Sequence, residues 1–377
     1  MVSMRLKWVA VLCAALCSVL VACGGGGGVG EGGTGAIASG PITGFGSIIV
    51  GGVRYDDSSA SVSDDDHAVR RSDELRLGMV VTIEATPIDA ATLTARALTI
   101  RIAGEVAGPL EAVDAAARTL RIFGQRVGVA ADTVFDDRLA AGLAGLRAGD
   151  PVQVYGFLDR ARGLIVATRI EPYAAAAATK LRGPIEAIDS VARTVTLGGQ
   201  TVSTAALVLP SGLAVGNWVL LRVEVSGGIL RATRLEASTL RLDERQEARL
   251  EGRVTAFTSQ NSFSVDGVAV DGNGVAAGVA LGARVEVEGT VVAGVIVASR
   301  VSVHDAGGAE IRLRGALANP SAAGRSFVVR GVTVLYGSAT AFENGSAADL
   351  LAGRAVDVRA TLAADGVRVQ ALRIKFE

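Results

Sequence analysis

Few side chains in this 377-residue sequence have the chemistry to act on a ligand. Histidine occurs twice: His67 follows Asp64-Asp65-Asp66, and His304 precedes Asp305. Neither stands beside a nucleophile motif such as Gly-x-Ser-x-Gly, and the three cysteines, Cys13, Cys17 and Cys23, all fall at the start of the chain. Three clustered carboxylates could give hard oxygen ligands to Ca²⁺, but a calcium loop alternates them as Asp-x-Asp-x-Asp-Gly. The run Asp64 to Asp66 therefore reads better as a solvated loop tip, with Asp136-Asp137 as a weaker echo. Gly44-Phe45-Gly46-Ser47 and Gly24 to Gly28 lack the Lys and the following helix of a phosphate loop, and read as a strand turn and a tether. No catalytic residue, metal ligand or cofactor is assigned.

Aromatic residues make up only 4% of the chain, yet Phe123, Phe135, Tyr155, Phe157 and Tyr173 fall close together. Tyr155 and Phe157 lie two apart in one expected strand, so their side chains share a face. As packing residues they would sit in a core, and Phe342 after Thr340 mirrors Phe135 after Thr133 as a packing position would. As a platform they would offer rings to a sugar or peptidoglycan strand on a barrel face. Tyr155 and Phe157 are the candidate ligand-binding residues.

The first residues carry an address. Arg5 and Lys7 precede an apolar stretch, Trp8 to Leu20, that is too short for a bilayer core, which takes about 20 apolar residues. Leu20-Val21-Ala22-Cys23 resembles the bacterial lipobox. That resemblance implies cleavage before Cys23, acylation of its thiol and anchoring in membrane lipid, with residues 1–23 as the lipoprotein signal. Gly24 rather than Asp after the cysteine suggests, by similarity to envelope lipoproteins, the outer membrane. The competing reading is an uncleaved membrane helix; the missing positive stop-transfer flank and the glycine run argue against it. Residues 24–35 form a glycine-rich tether with a reach of about 20 Å. With Cys23 lipidated, no disulfide staples the exported body.

Charge narrows the partners. The chain has 37 Lys+Arg against 38 Asp+Glu, and loss of Arg5 and Lys7 leaves a net charge of −3. Single-strand binding needs a basic groove interleaved with stacking aromatics, so nucleic acid is not an expected partner. Only Lys180 and Lys375 remain as lysines in the body.

A repeat organises the chain beyond the tether. Gly78, Gly149, Gly216, Gly282 and Gly353 each open a Gly-x-x-Val, at spacings of 71, 67, 66 and 71. A Gly-led strand precedes each one, at Gly40, Gly108, Gly183, Gly252 and Gly315, and an Ala-x-x-aliphatic strand comes after it. These bound five modules at 36–102, 103–174, 179–240, 246–304 and 309–377. Val285-Glu286-Val287-Glu288 and Val356-Asp357-Val358-Arg359 alternate with the period of a half-buried strand. In module 2 the pattern predicts three strands, a short Ala/Leu-rich helical piece over Arg138 to Leu146, and two more strands. That order belongs to the OB-fold, a partly open five-stranded barrel. The expected architecture is mainly β, a tandem array of about five small OB-like five-stranded barrels, joined end to end as a semi-rigid rod or arc.

The repeat, the opening Gly-Pro-Ile-Thr-Gly-Phe-Gly-Ser (Gly40 to Ser47) and Val53-Arg54-Tyr55 resemble a family of exported bacterial proteins built from tandem OB-like modules, domain of unknown function 5666. The resemblance spans about residues 36–377 and is best in modules 1 and 2; modules 4 and 5 lack the Gly-Pro start. It implies the fold and the envelope setting and offers no catalytic residue. The expected function is a non-enzymatic, lipid-anchored envelope protein whose modules act as a scaffold or binding surface for an envelope protein or glycan. An oligosaccharide-binding lipoprotein using the aromatic face of module 2 is the alternative, and an enzyme the third reading.

Overall fold

The computed structural model describes residues 35–174, 179–238, 240, 242–304 and 310–377. The signal, Cys23 and all of the tether except Gly35 lie outside the described residues. The alternating segments are strands: Val285, Val287, Val356 and Val358 are fully buried, while the charged residues between them are half-exposed.

Module 2 shows how the strands close into a barrel. Its first strand, Val106–Pro109, pairs antiparallel with the fourth, Pro151–Asp159, and its continuation Ala112–Asp114 pairs with the second, Thr119–Ile122. A tight turn leads to the third strand, Gln125–Phe135, which runs parallel to the fifth, Leu164–Pro172, and the fifth pairs antiparallel with the fourth. The pairings return to the first strand, as in a five-stranded Greek-key barrel. Modules 1, 3, 4 and 5 repeat this order.

The Gly-Pro pairs have a visible effect. In modules 1, 2 and 3 the first strand stops at Pro41, Pro109 and Pro184, because proline has no N–H for the ladder. Modules 4 and 5 lack the proline, and their first strands run unbroken as Glu247–Ser259 and Ile311–Ser321. No α-helix occurs among the described residues. The helical piece expected over Arg138 to Leu146 is instead two 3-10 turns, Asp137–Leu139 and Gly142–Gly145. Gly142, where the second turn begins, takes a left-handed φ of 54°, and that backbone cannot continue a helix.

The modules do not form a rod. A first strand has a second edge, and an open edge is stabilised by pairing. Ala36–Pro41 of module 1 pairs in parallel with Glu247–Ser259 of module 4. Gly44–Phe45 of module 1 pairs in parallel with Ile311–Ser321 of module 5, and Val106–Pro109 pairs with Thr179–Pro184 across modules 2 and 3. The apolar cores follow these pairings. Tyr55 and Ile83 of module 1 share one core with Phe327 and Phe376 of module 5, modules 2 and 3 share a second, and module 4 keeps a third with Ile37. The first and last modules are neighbours, which corrects the end-to-end expectation.

Leu313 of module 5 is buried in the core shared with module 1, in register with Phe45. Leu313→Ala should cost about 2–5 kcal/mol in denaturant unfolding. Hydrogen exchange should then speed up in Ile48–Val50 of module 1 as well as in module 5. A change confined to module 5 would show that the two barrels are independent.

Candidate functional site

The acidic loop of module 1 is the entry to the most charged interior of the protein. Asp64 turns the chain: its Oδ1 accepts from the N–H groups of Asp66 at 2.9 Å and Ala68 at 3.0 Å, and its Oδ2 accepts from Arg70 Nε at 2.9 Å. The next carboxylate, Asp65, reaches across the module boundary. It accepts from Lys180 Nζ at 2.9 and 2.7 Å, from Arg222 Nη2 at 2.9 Å and from the Gly104 N–H at 3.2 Å. Lys180 and Arg222 are buried and stand opposite each other on adjacent strands of module 3. Asp66 also pairs with Arg222, and His67 Nε2 lies 3.6 Å from Glu236 of module 3.

This arrangement replaces both sequence readings of the loop. Oxygen atoms of Asp64, Asp65 and Asp66 do come within 4.8 Å of one another. Asp64 is met by Arg70, Asp65 by Lys180 and Arg222, and Asp66 by Arg222, so each carboxylate already has a cationic side chain. The middle residue is a partly buried anchor rather than a solvated tip.

Two further carboxyls join the cluster. Glu105, at the start of module 2, is buried and pairs with Arg182, whose Nε donates to Ser238 Oγ at 2.7 Å and whose guanidinium lies over the Trp218 ring at 5.1 Å. Asp266 of module 4 sits in a tight turn with Gly267, at φ 46° and 82°. The turn brings Gly267 against Trp218 so closely that no Cβ fits there. Asp266 Oδ1 and Glu105 Oε2 are buried without a hydrogen-bond partner among the described residues.

The electrostatics sort the three carboxyls. Burial alone would raise Asp65, but Lys180 and Arg222 overcome it and hold the carboxyl below the usual range. Burial raises Glu105 against the pull of Arg182. Asp266 is raised well above the carboxylate range by burial and by the Glu105 charge, with Arg182 opposing. Two carboxyls thus share the field of one guanidinium, and both are pushed toward the neutral form.

Clefts flank this cluster. One of about 500 Å³ lies between modules 1, 3 and 4 and is lined by His67, Arg182, Glu236 and Asp266 among others. Another, of about 660 Å³, lies between modules 1, 2 and 3 beside Arg70, Asp137, Glu171 and Tyr173. Asp136 pairs with Arg138 and Arg169, while Asp137 is raised by burial and by its neighbour Asp136. His304 lies apart, 3.5 Å from Glu286.

Tyr155 and Phe157 do share a side, but it is neither a wet face nor the core of their own barrel. Val152 and Val154 point into the core of modules 2 and 3, whereas Tyr155 and Phe157 belong to the core of modules 1 and 5. They are only 2% and 4% exposed, and Tyr155 Oη donates to Glu171 Oε1 at 2.9 Å. The pair as an exposed ligand platform is therefore corrected: module 1 covers the outer face of the strand that carries it. Sequence reasoning missed Glu105, Lys180, Arg182, Arg222 and Asp266. Lys180 alone carried a signal, as one of two lysines in an arginine-rich body.

A family model described as Domain of unknown function (DUF5666) matches four segments, residues 107–171, 182–236, 251–302 and 316–375. The chain belongs to this family. The DUF5666 matches fall on modules 2 to 5, including the two that lack Gly-Pro, and module 1 lies outside them although its opening carries the resemblance. No curated protein matches the chain.

Removal of Asp65 leaves two buried cations without their main partner. Asp65→Ala should lower stability by about 3–5 kcal/mol in chemical denaturation, far more than a surface Asp. A loss under about 1 kcal/mol would mean that the cluster does not hold the modules together.

Asp266 gives the junction a pH dependence of defined sign. Its carboxyl is raised in the folded state, so its contribution is full below the unfolded value of about 3.9 and is lost as pH rises through the folded one. Asp266→Asn should therefore gain Tm relative to the unsubstituted protein as pH rises above about 4 in thermal scans. A difference in Tm that stays constant with pH would contradict a raised Asp266 carboxyl.

Proposed function

We propose that this chain is a non-enzymatic, lipid-anchored scaffold of the bacterial cell envelope, held in the outer membrane through acylated Cys23 and presenting its barrels as a binding surface for an envelope protein or glycan. The observation that supports it best is the fate of the buried charges. Asp65, Glu105, Lys180, Arg182 and Arg222 face one another across the boundaries of modules 1, 2 and 3, so these buried charges are engaged in joining modules. A body locked this way presents its outer surface in one fixed geometry, which is what a scaffold requires. Two or three acyl chains, at about 0.8 kcal/mol per buried CH₂, make such an anchor effectively permanent. Tyr155 and Phe157 are 2% and 4% exposed, which speaks against the oligosaccharide reading through an exposed aromatic face of module 2.

The test is complementation in cells lacking the chain. Mass spectrometry of the mature N-terminus should find acylated Cys23, and Cys23→Ala should leave the body unanchored and restore no envelope function. The double variant Asp137→Asn with Tyr173→Phe, which removes ionisable groups from the larger cleft, should restore function fully. Failure of that folded and anchored variant would favour chemistry in the cleft over a scaffold.

A further inference from the structure

The modules dock on one another by a contact that recurs. The hairpin joining the fourth and fifth strands of one barrel packs on the loop joining the third and fourth strands of another. In module 5 this hairpin tip is residues 363–368, between Ala355–Leu362 and Val369–Phe376. Its Gly366 carbonyl accepts from the Phe135 N–H of module 2 at 2.7 Å, and Asp365 O lies 2.8 Å from where a Cβ of Gly142 would stand. In module 2 the tip is residues 160–163, which seat on module 4. Arg160 Nη1 donates to Thr255 O at 3.4 Å, and Ala161 Cβ lies 2.8 Å from where a Cβ of Gly282 would stand.

Module 3 carries both halves of this contact and uses neither among the described residues. Its loop, residues 204–217, has no charged residue, whereas the module 2 loop includes Asp136, Asp137, Arg138, Arg147 and Asp150. Val208 is 99% exposed, and nothing lies within 4 Å of a Cβ placed on Gly212 or Gly216. The hairpin tip, Gly227-Gly228, is equally open, with Ile229 53% exposed beside it. Glu224 stands in register with Arg231 just below, so the tip itself is neutral. Val208 and Val215, 61% exposed, leave apolar surface in water on a loop without charge, which association would bury.

We propose that module 3 is where two copies of this chain associate, the hairpin tip of each copy seating on the 204–217 loop of the other. The loop and the tip lie at opposite ends of Trp218–Ser226, a strand of about 30 Å. A two-fold axis beside that strand brings each tip to the other copy's loop, and both contacts close in one isologous interface. The occupant is a second copy because this chain supplies the complementary half, and because modules 2, 4 and 5 already make the same contact internally. The inference goes beyond the scaffold reading, since an anchored body can hold partners as a monomer.

Sedimentation of the purified full chain in density-matched detergent tests it. The expected protein mass is twice that of one chain, and Val208→Asp and Ile229→Asp should each weaken association at least tenfold without lowering Tm, because both side chains are exposed. A mixture of Val208→Cys and Gly228→Cys chains should form a disulfide-linked pair. A single-chain mass up to 100 µM, or a dimer indifferent to both aspartates, would overturn the proposal. So would a Val208→Asp chain that loses binding to phosphatidylethanolamine/phosphatidylglycerol vesicles with its mass unchanged, since the loop would then meet lipid. A monomer would leave the complementation result, and with it the scaffold reading, untouched.

Discussion

The assembly depends on one carboxylate with two buried cations. Asp65 of module 1 accepts from Lys180 and Arg222 of module 3 beside the first residues of module 2. Such pairs give little net stability, because desolvation costs several kcal/mol per ion and the Coulomb gain roughly repays it. Their effect is on alternatives. Apolar barrel faces could slide or dock in several ways at similar cost, whereas any docking that misses Asp65 leaves two cations buried and bare. The apolar contacts hold the modules, and the charges decide which arrangement is held.

The same logic extends to Glu105, Arg182 and Asp266. Arg182 is fixed from three sides, by Glu105, by Ser238 and by the Trp218 ring. Gly267 lets the turn of module 4 close on that ring. A fourth module is thereby positioned against a guanidinium already committed to two others. Burial and the Glu105 charge raise the Asp266 carboxyl there, which disfavours a second buried negative charge beside a single guanidinium.

Local features were legible in the sequence and long-range ones were not. The Gly-Pro pairs, the Gly-x-x-Val repeat and the alternating valines gave the strands and their order, since each depends on neighbours in the chain. The mirror of Phe135 and Phe342 held down to the hydrogen bonds before them. Thr133 Oγ1 donates to Ala167 O at 2.7 Å, and Thr340 Oγ1 donates to Ala371 O at 2.9 Å. The junction was hidden because Asp65 finds its partners 115 and 157 residues away. Nothing in a run of three aspartates says that the middle one faces inward; that is set by Asp64, which caps the turn, and by the docking of module 3. Tyr155 and Phe157 were placed correctly on one face, but whether that face is wet depends on module 1, which local pattern does not encode.

Repetition and position therefore act on different parts of the molecule. Each barrel repeats one set of pairings, so the interior of any module could serve in another. The outside cannot, because the same structural position meets different surroundings: Phe135 is sealed under the module 5 hairpin, while its counterpart Phe342 stays half-exposed against Tyr336 and Phe376. Five similar barrels thus yield a body in which the same outer position is covered in one module and open in another. Selection on such a chain can conserve one core pattern for folding while each outer face changes separately, and the faces left uncovered are the ones free to acquire a partner.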